Sequence, residues 1–271
     1  MTRDSIPVWA LRAVWLVQPV TLGPALADGF HDLDGHTFLS VSAWVLWGLG
    51  LLATLVPRPV TLTTIRIGGP AAAALSVWTA TTVDDTALVA VALGGAFVLG
   101  VLSHWPAVAD TYVDGASYGD EKRFLLRAPG PVVLALGPLA WALTVAGVVV
   151  GPLLLASGDS AVGSAACVAG LPIAAASARA LHHLHRRWIV LVPAGFVLHD
   201  HLALADPTLL PRDALTSVGP ASADTDARSA PTCRSVSIFT FTPQYEKIPS
   251  VTTVTMSTPS TGCDTMNGAG L

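Results

Sequence analysis

Long apolar runs, broken at intervals by short charged or Pro/Gly-rich connections, fill the chain from residue 6 to residue 180. Residues 37–56 carry no charge at all. A helix of that length, at about 1.5 Å per residue, covers the ~30 Å hydrocarbon core of a bilayer. Pro57 and Pro59 end it, and Arg58 between them marks an interface. A second run, Val60 to Val83, has Arg66 near its start and a kink expected at Gly68-Gly69-Pro70. Only Asp84-Asp85 separates it from a third at 86–105, so the two form a tight helical hairpin. Residues 131–157 and 160–180 form another hairpin around Gly158-Asp159, with Pro138, Pro152 and Pro172 tolerated inside because neighbouring helices satisfy the freed carbonyls. Segment 6–27 is interrupted by Arg12, Gln18, Pro19 and Pro24. It reads as a span, with an interfacial helix or a signal cleaved after Ala25-Leu26-Ala27 as the other readings. The expected fold class is an α-helical integral membrane protein of about six transmembrane helices, followed by a small partial β module and a disordered tail.

Charge placement is an independent check on these spans. Arg3 and Arg12, Arg58 and Arg66, then Lys122, Arg123 and Arg127, then Arg179, Arg186 and Arg187 fall at alternate connections. The opposite connections hold Asp28, Asp32, Asp34, Asp84, Asp85 and Asp159, with no lysine or arginine. The positive-inside rule then predicts a multi-pass protein of the cell membrane with both termini cytoplasmic. Composition agrees, since 52% of residues are hydrophobic and only 12% charged, where soluble domains carry about a quarter. A net charge of -4 gives no basic field for nucleic acid. Cys167, Cys233 and Cys263 are odd in number and lack C-x-x-C spacing, which argues against a disulfide framework or a zinc ribbon.

Ionisable groups are absent from the middle of the spans between Ser40 and Ala178, so ion- or proton-coupled transport lacks its usual mark. Ser76, Thr79, Thr81, Thr82 and Thr144 are expected to return their hydroxyls to backbone carbonyls one turn earlier. On the last span Ala166, Gly170, Ala174 and Ala178 make a small-xxx-small stripe. Packing within the bundle is its first reading, and a homo-oligomer contact through Ala166, Gly170 and Ala174 the second.

Two polar segments stand out. The connection 106–130 is the longest between spans and mixes both signs of charge. Tyr112, Asp114, Tyr118, Asp120, Glu121, Lys122, Arg123 and Arg127 make it a candidate cytoplasmic interaction loop, with a turn at Asp114-Gly115. Its plain alternative is a solvated loop whose basic end rests on anionic headgroups. After the last span, His182, His183, His185, Arg186 and Arg187 form a candidate interfacial cluster that gains charge as pH falls. His199-Asp200-His201 invites a metal reading, but the spacing matches no zinc signature, and no metal or other cofactor is expected.

From Trp188 the pattern changes to two β-branched runs around Pro193-Ala194-Gly195, a hairpin signal. Trp188 to Val218, with a Pro/Arg-led third strand, resembles the start of the bacterial pleckstrin-homology-like domains that follow membrane helices. More broadly, residues 15–220, with WLVQP, SYGDEKRF and RRWIVLVPAGFVLHD, resemble an uncharacterised group of actinobacterial multi-pass membrane proteins. That likeness implies a topology and no activity. The expected organisation is a first span and outer loop at 1–36, a transmembrane bundle at 37–185, a cytoplasmic β-rich module at 186–220 and a tail at 221–271. The tail is Ser/Thr-rich, with short stretches that are expected to pair as strands and disordered flanks. Its shift in residue usage suggests a degraded or frame-shifted C-terminus, an idea that uninterrupted codon bias across residue 226 would sink.

No catalytic constellation emerges. The leading expectation is a non-enzymatic membrane protein that binds a cytoplasmic partner or anionic lipid headgroups through loop and β module. The alternative is a small transporter or channel component.

Overall fold

The structure, a computed structural model, describes residues 6–126, 128, 130–200 and 207–212, and the backbone of 240–241 and 252–253. Arg127, His201 and most of the tail, on which some expectations fell, lie outside the described residues. The chain divides into two units. The first takes in residues up to Ser117 and then Ala128–Arg186; the second takes in Tyr118–Arg127 and the chain from Arg187 onward.

The first unit is helical. Its elements are α1 (Ile6–Thr21), α2 (Gly23–Phe30), α3 (His36–Leu55), α4 (Pro59–Thr79), α5 (Thr86–Ser103), α6 (Pro106–Asp114), α7 (Gly137–Ala156) and α8 (Ser160–Leu184). Six stretches are long and apolar enough to cross a membrane, with α1 and α2 counted together over Ile6–Phe30 and a π-helical turn, Val132–Leu136, leading into α7. That turn follows from Pro138, which has no N–H for the carbonyl of Leu134, so the ladder widens ahead of it. Pro19 and Pro24 do not break the first stretch, because Leu22 N–H still reaches the Gln18 carbonyl at 2.8 Å and Leu26 N–H the Leu22 carbonyl at 3.0 Å.

Starts and stops follow local chemistry. Asp85 accepts from the N–H groups of Ala87 and Leu88 and so caps α5. Asp159 caps α8 in the same way through Val162 N–H. Because of how the helices run, Arg58, Arg66, Arg179 and Arg186 lie toward one end of the bundle, and Asp34, Asp85 and Asp159 toward the other. We call these the basic and the acidic end. At the acidic end Leu22, Ala25, Leu26, Phe30, Leu39, Ala92 and Ala156 form a buried cluster, with Phe30 and Trp78 rings 5.4 Å apart.

α1 packs against α3, α5 and α6, and Trp15 is its anchor. The ring lies between Gly50 of α3 and Gly68 of α4, each of which would drive a Cβ into it. Trp15 and Trp47 exchange hydrogen bonds, each indole N–H donating to the other's backbone carbonyl at 3.0 and 2.9 Å. Gly50→Val is therefore expected to displace the Trp15 ring and to cost about 1–3 kcal/mol by overpacking. A lowered melting temperature with a shifted tryptophan emission in detergent would show it; an unchanged melt would mean the slot is not needed.

α7 and α8 make a hairpin whose backbones touch. Gly147 lies against Gly170, and Gly151 against Cys167. Gly170 and Ala174 of the predicted stripe thus face Gly147 of the same chain, as close backbone approach requires. Only 6% and 11% of their apolar windows are buried, against 22–28% in the other four, so this pair shows most of its apolar surface outward.

The second unit contains a four-stranded antiparallel sheet in the order β1-β2-β3-β4, from β1 (Lys122–Leu125), β2 (Trp188–Val192), β3 (Gly195–His199) and β4 (Thr208–Pro211). β2 and β3 are the expected hairpin, and Gly195, at φ 149°, makes the turn that other residues resist. The final strands, β5 (Thr240–Phe241) and β6 (Thr252–Thr253), pair with each other.

Segment 106–130 is thus not an open loop. Its first third is a helix started by Pro106, and its last third contains a strand that pairs Lys122 with Leu191 and Leu125 with Trp188. The last span also runs on to Leu184, placing His182 and His183 on a helix rather than beyond one.

Candidate functional site

The basic end of the helical unit gathers polar side chains from four helices. Thr63 sits one turn into α4, with its hydroxyl 3.0 Å from Nδ1 of His182 and 2.9 Å from Nδ1 of His185. The same hydroxyl donates to the Pro59 carbonyl at 3.1 Å. A hydroxyl has one proton and two lone pairs, so with its proton given to Pro59 it accepts from both rings, and the bonding assigns each ring's proton to Nδ1. His104, at the end of α5, places Nδ1 3.1 Å from the Gly100 carbonyl, which accepts only, so that ring too is protonated there.

Arg66 follows Thr63 by three residues and so shares its face of α4. Its Nε is buried and has no hydrogen-bond partner among the described residues. Asp110 of α6 and His104 both act on it electrostatically. Burial pushes the His185 imidazole down from 6.5 to about 2, with the charges of Arg66, His182 and His104 adding to the effect. His104 is also lowered, chiefly by burial, although its bond to Gly100 works the other way.

A second polar knot ties α1, α3 and α6 together. Tyr112 is fully buried and donates from its hydroxyl to the Thr54 carbonyl at 2.8 Å. Arg12 Nε donates to the same carbonyl at 3.0 Å, and its guanidinium lies 4.8 Å from the Trp9 ring centre. Burial raises the Tyr112 phenol to about 12, opposed by the nearby Arg12 charge. Tyr112 therefore belongs to the packing of the helical unit and offers no contact surface.

In the sheet unit, Tyr118 is 82% exposed, and Asp120 and Lys122 are exposed beside it. Glu121 accepts from the Tyr118 backbone N–H at 2.7 Å and from Arg123 Nη2 at 2.7 Å, and these two bonds hold its carboxyl below the usual range. Gly119 allows the tight turn between them with φ 62°. The Arg123 guanidinium lies 5.9 Å from the Trp188 ring centre, and Trp188 stacks on His199 at 4.8 Å, so a cation, an indole and an imidazole line up across three strands. Arg187 grips Asp200 with two bonds of 2.8 and 2.7 Å, both side chains buried.

The structure therefore separates residues that the sequence grouped. Of the expected loop, Tyr112 is interior and Asp114 accepts from the Ser117 hydroxyl, while Tyr118, Asp120, Glu121, Lys122 and Arg123 stay together in the sheet unit. Of the expected interfacial cluster, Arg186 is exposed, His183 is half-buried, and His182 and His185 turn inward onto Thr63. Arg187 departs from that cluster, because its buried partner is Asp200. Among the described residues no group of three or more His, Cys, Asp or Glu is placed to hold a metal ion. Thr63, His104 and Asp110 were missed as members of a common cluster. Their only sequence signal is that each lies within a few residues of the same end of a span. Compared with known proteins, the chain matches no family model, no curated protein and no solved structure.

Proposed function

We propose that this chain is an integral membrane protein that docks a cytoplasmic protein without catalysing a reaction, its basic end lying in the cytoplasm. One observation carries the reading: the expected loop and the strands after the last span combine in a single sheet, and Tyr118 and Asp120 in the turn leading into its first strand, with Lys122 at the start of that strand, are exposed. A turn pinned to the strand by the Glu121–Tyr118 bond displays contacts with less ordering cost than an open loop does, and an exposed tyrosine among charges of both signs is typical of protein contact surfaces. An anionic headgroup layer would instead favour uniformly basic side chains, so a protein partner is the better reading and lipid the lesser one. The order of strand, glycine turn and strand in β2 and β3, with β4 following, supports a pleckstrin-homology-like opening for this unit, whose expected Pro/Arg-led strand lies mostly outside the described residues.

A photo-crosslinking amino acid at position 118 is expected to capture one discrete partner in cells, whereas the same group at the apolar position Leu171 captures none. Failure at 118, or the same adduct at both positions, would remove the proposal. Sidedness has its own test, in a background with Cys167, Cys233 and Cys263 replaced. Cysteines at Asp34, Asp85 and Asp159 should react with an impermeant thiol reagent in intact cells, and those at Arg58 and Tyr118 only after permeabilisation. Outside labelling of position 118 would reverse the topology.

A further inference from the structure

We propose that Arg66 is the centre of a phosphate-binding site at the basic end of the helical unit, a site separate from the sheet unit and its partner. A guanidinium carries five N–H donors in a planar fork, and an arginine in the apolar part of a helix persists only where those donors find acceptors. Arg66 lies seven residues beyond Pro59, so about 10 Å along α4 by helical rise. Its Nε is shut off from solvent and has no partner among the described residues. A lysine or a snorkelling arginine would extend to water from this depth, but here the root of the fork is held inside the protein.

The surroundings explain why it is held. One residue group on the same face, Thr63, is locked by His182 and His185 and so is not free to serve as the acceptor. Gly69, beside it, lets α5 approach so closely that a Cβ there would strike the Ser103 side chain, which fixes the wall carrying His104. Asp110 of α6 offsets part of the Arg66 charge. Arg58, Arg179 and Arg186 are exposed at the same end, against the two acids of α6, Asp110 and Asp114. The balance is positive, and a rim of exposed arginines raises the local concentration of anions around a buried one.

Phosphate fits this arrangement better than a carboxylate. Its oxygens match the arginine fork in bidentate geometry, and it is the anion that lipid headgroups present at the end of a span, where the exposed arginines of the rim lie. Two sources share that chemistry, a lipid headgroup and free inorganic phosphate.

The test uses the full chain in nanodiscs, with melting temperature as the readout. In discs of phosphatidylcholine, inorganic phosphate is titrated against chloride at equal ionic strength. In a second arm, phosphatidylglycerol replaces part of the neutral lipid. A saturable rise in the first arm identifies free phosphate, and a rise in the second arm alone identifies the headgroup. In whichever arm responds, Arg66→Gln is expected to weaken the response at least about 10-fold, as loss of a charged, bidentate partner does. Arg58→Gln and Arg186→Gln, on the rim, should stay within about 2-fold, the usual scale for exposed charges. Arg66→Lys keeps the charge without the fork and covers the case in which the glutamine variant does not fold; it should also bind phosphate more weakly than wild type. Silence of the wild type in both arms, a normal response from Arg66→Lys and Arg66→Gln, or equal losses from all three arginines would overturn the site.

Discussion

Asp200→Ala is expected to unfold the sheet unit locally while leaving the helices in place. Arg187 and Asp200 are joined by two short bonds, and the aspartate side chain is only 1% exposed. Removing the acid leaves a guanidinium buried without its counter-charge, and breaking such a pair typically costs about 3–5 kcal/mol. Arg187 also fixes the sheet through its backbone, since its carbonyl accepts from Leu126 N–H at 2.9 Å beyond the end of β1. Hydrogen exchange of residues 188–199 in the full chain should therefore accelerate by roughly 100-fold or more, the equivalent of about 3 kcal/mol. Peptides from α3 and α5 should keep their protection. The pair need not be a net stabiliser, because its desolvation opposes its attraction. The double variant Arg187→Met with Asp200→Leu is thus expected to recover most of the protection that the single variant loses. If Asp200→Ala exchanged like wild type, the pair would have no part in holding the strands.

How much of this could be read from the sequence depends on which physical signal each feature leaves. Spans leave a strong one, because every backbone group in lipid must bond within the helix, and this demands about twenty apolar residues in a row. Residues 37–56 therefore gave α3 to within a residue of its observed bounds, His36–Leu55. The β2–β3 hairpin was legible for a similar reason, since Pro193-Ala194-Gly195 between two β-branched runs leaves few other conformations. Segment 106–130 was misread because its charges resemble those of a solvated loop. Only pairing with residues some seventy positions later, Lys122 with Leu191, makes 122–125 a strand, and such pairing leaves no local mark. The basic-end cluster was missed for the same cause. Thr63 and His185 are 122 residues apart, and what joins them is the packing of α4 on α8. His182 through Arg187 looked like one interfacial patch since they are consecutive, yet a helix end turns successive side chains to different sides. That geometry sends His185 inward and Arg186 outward.

Acid is expected to loosen the same helix end. His185 is buried, 9% exposed, and its folded-state value of about 2 lies far below the ordinary 6.5. Burial is the main cause, with the charges of Arg66, His182 and His104 behind it. Between pH 6.5 and 2 the unfolded chain binds a proton at this site that the folded one refuses, so stability falls as pH falls through that window and is fully present above it. At pH 4.5 the loss amounts to about 2.7 kcal/mol, at 1.36 kcal/mol for each of two pH units. For a helix end held by a Thr63–imidazole bond, that loss should appear first as release of the last turn of α8. The measurement is the melting temperature of the detergent-purified chain from pH 7.5 to 4.5, compared with His185→Gln. The amide keeps a donor for Thr63 but cannot titrate, so the variant should melt somewhat lower than wild type at pH 7.5 and show a clearly flatter dependence on pH. Parallel curves for the two proteins would mean that His185 is not the group through which acid acts.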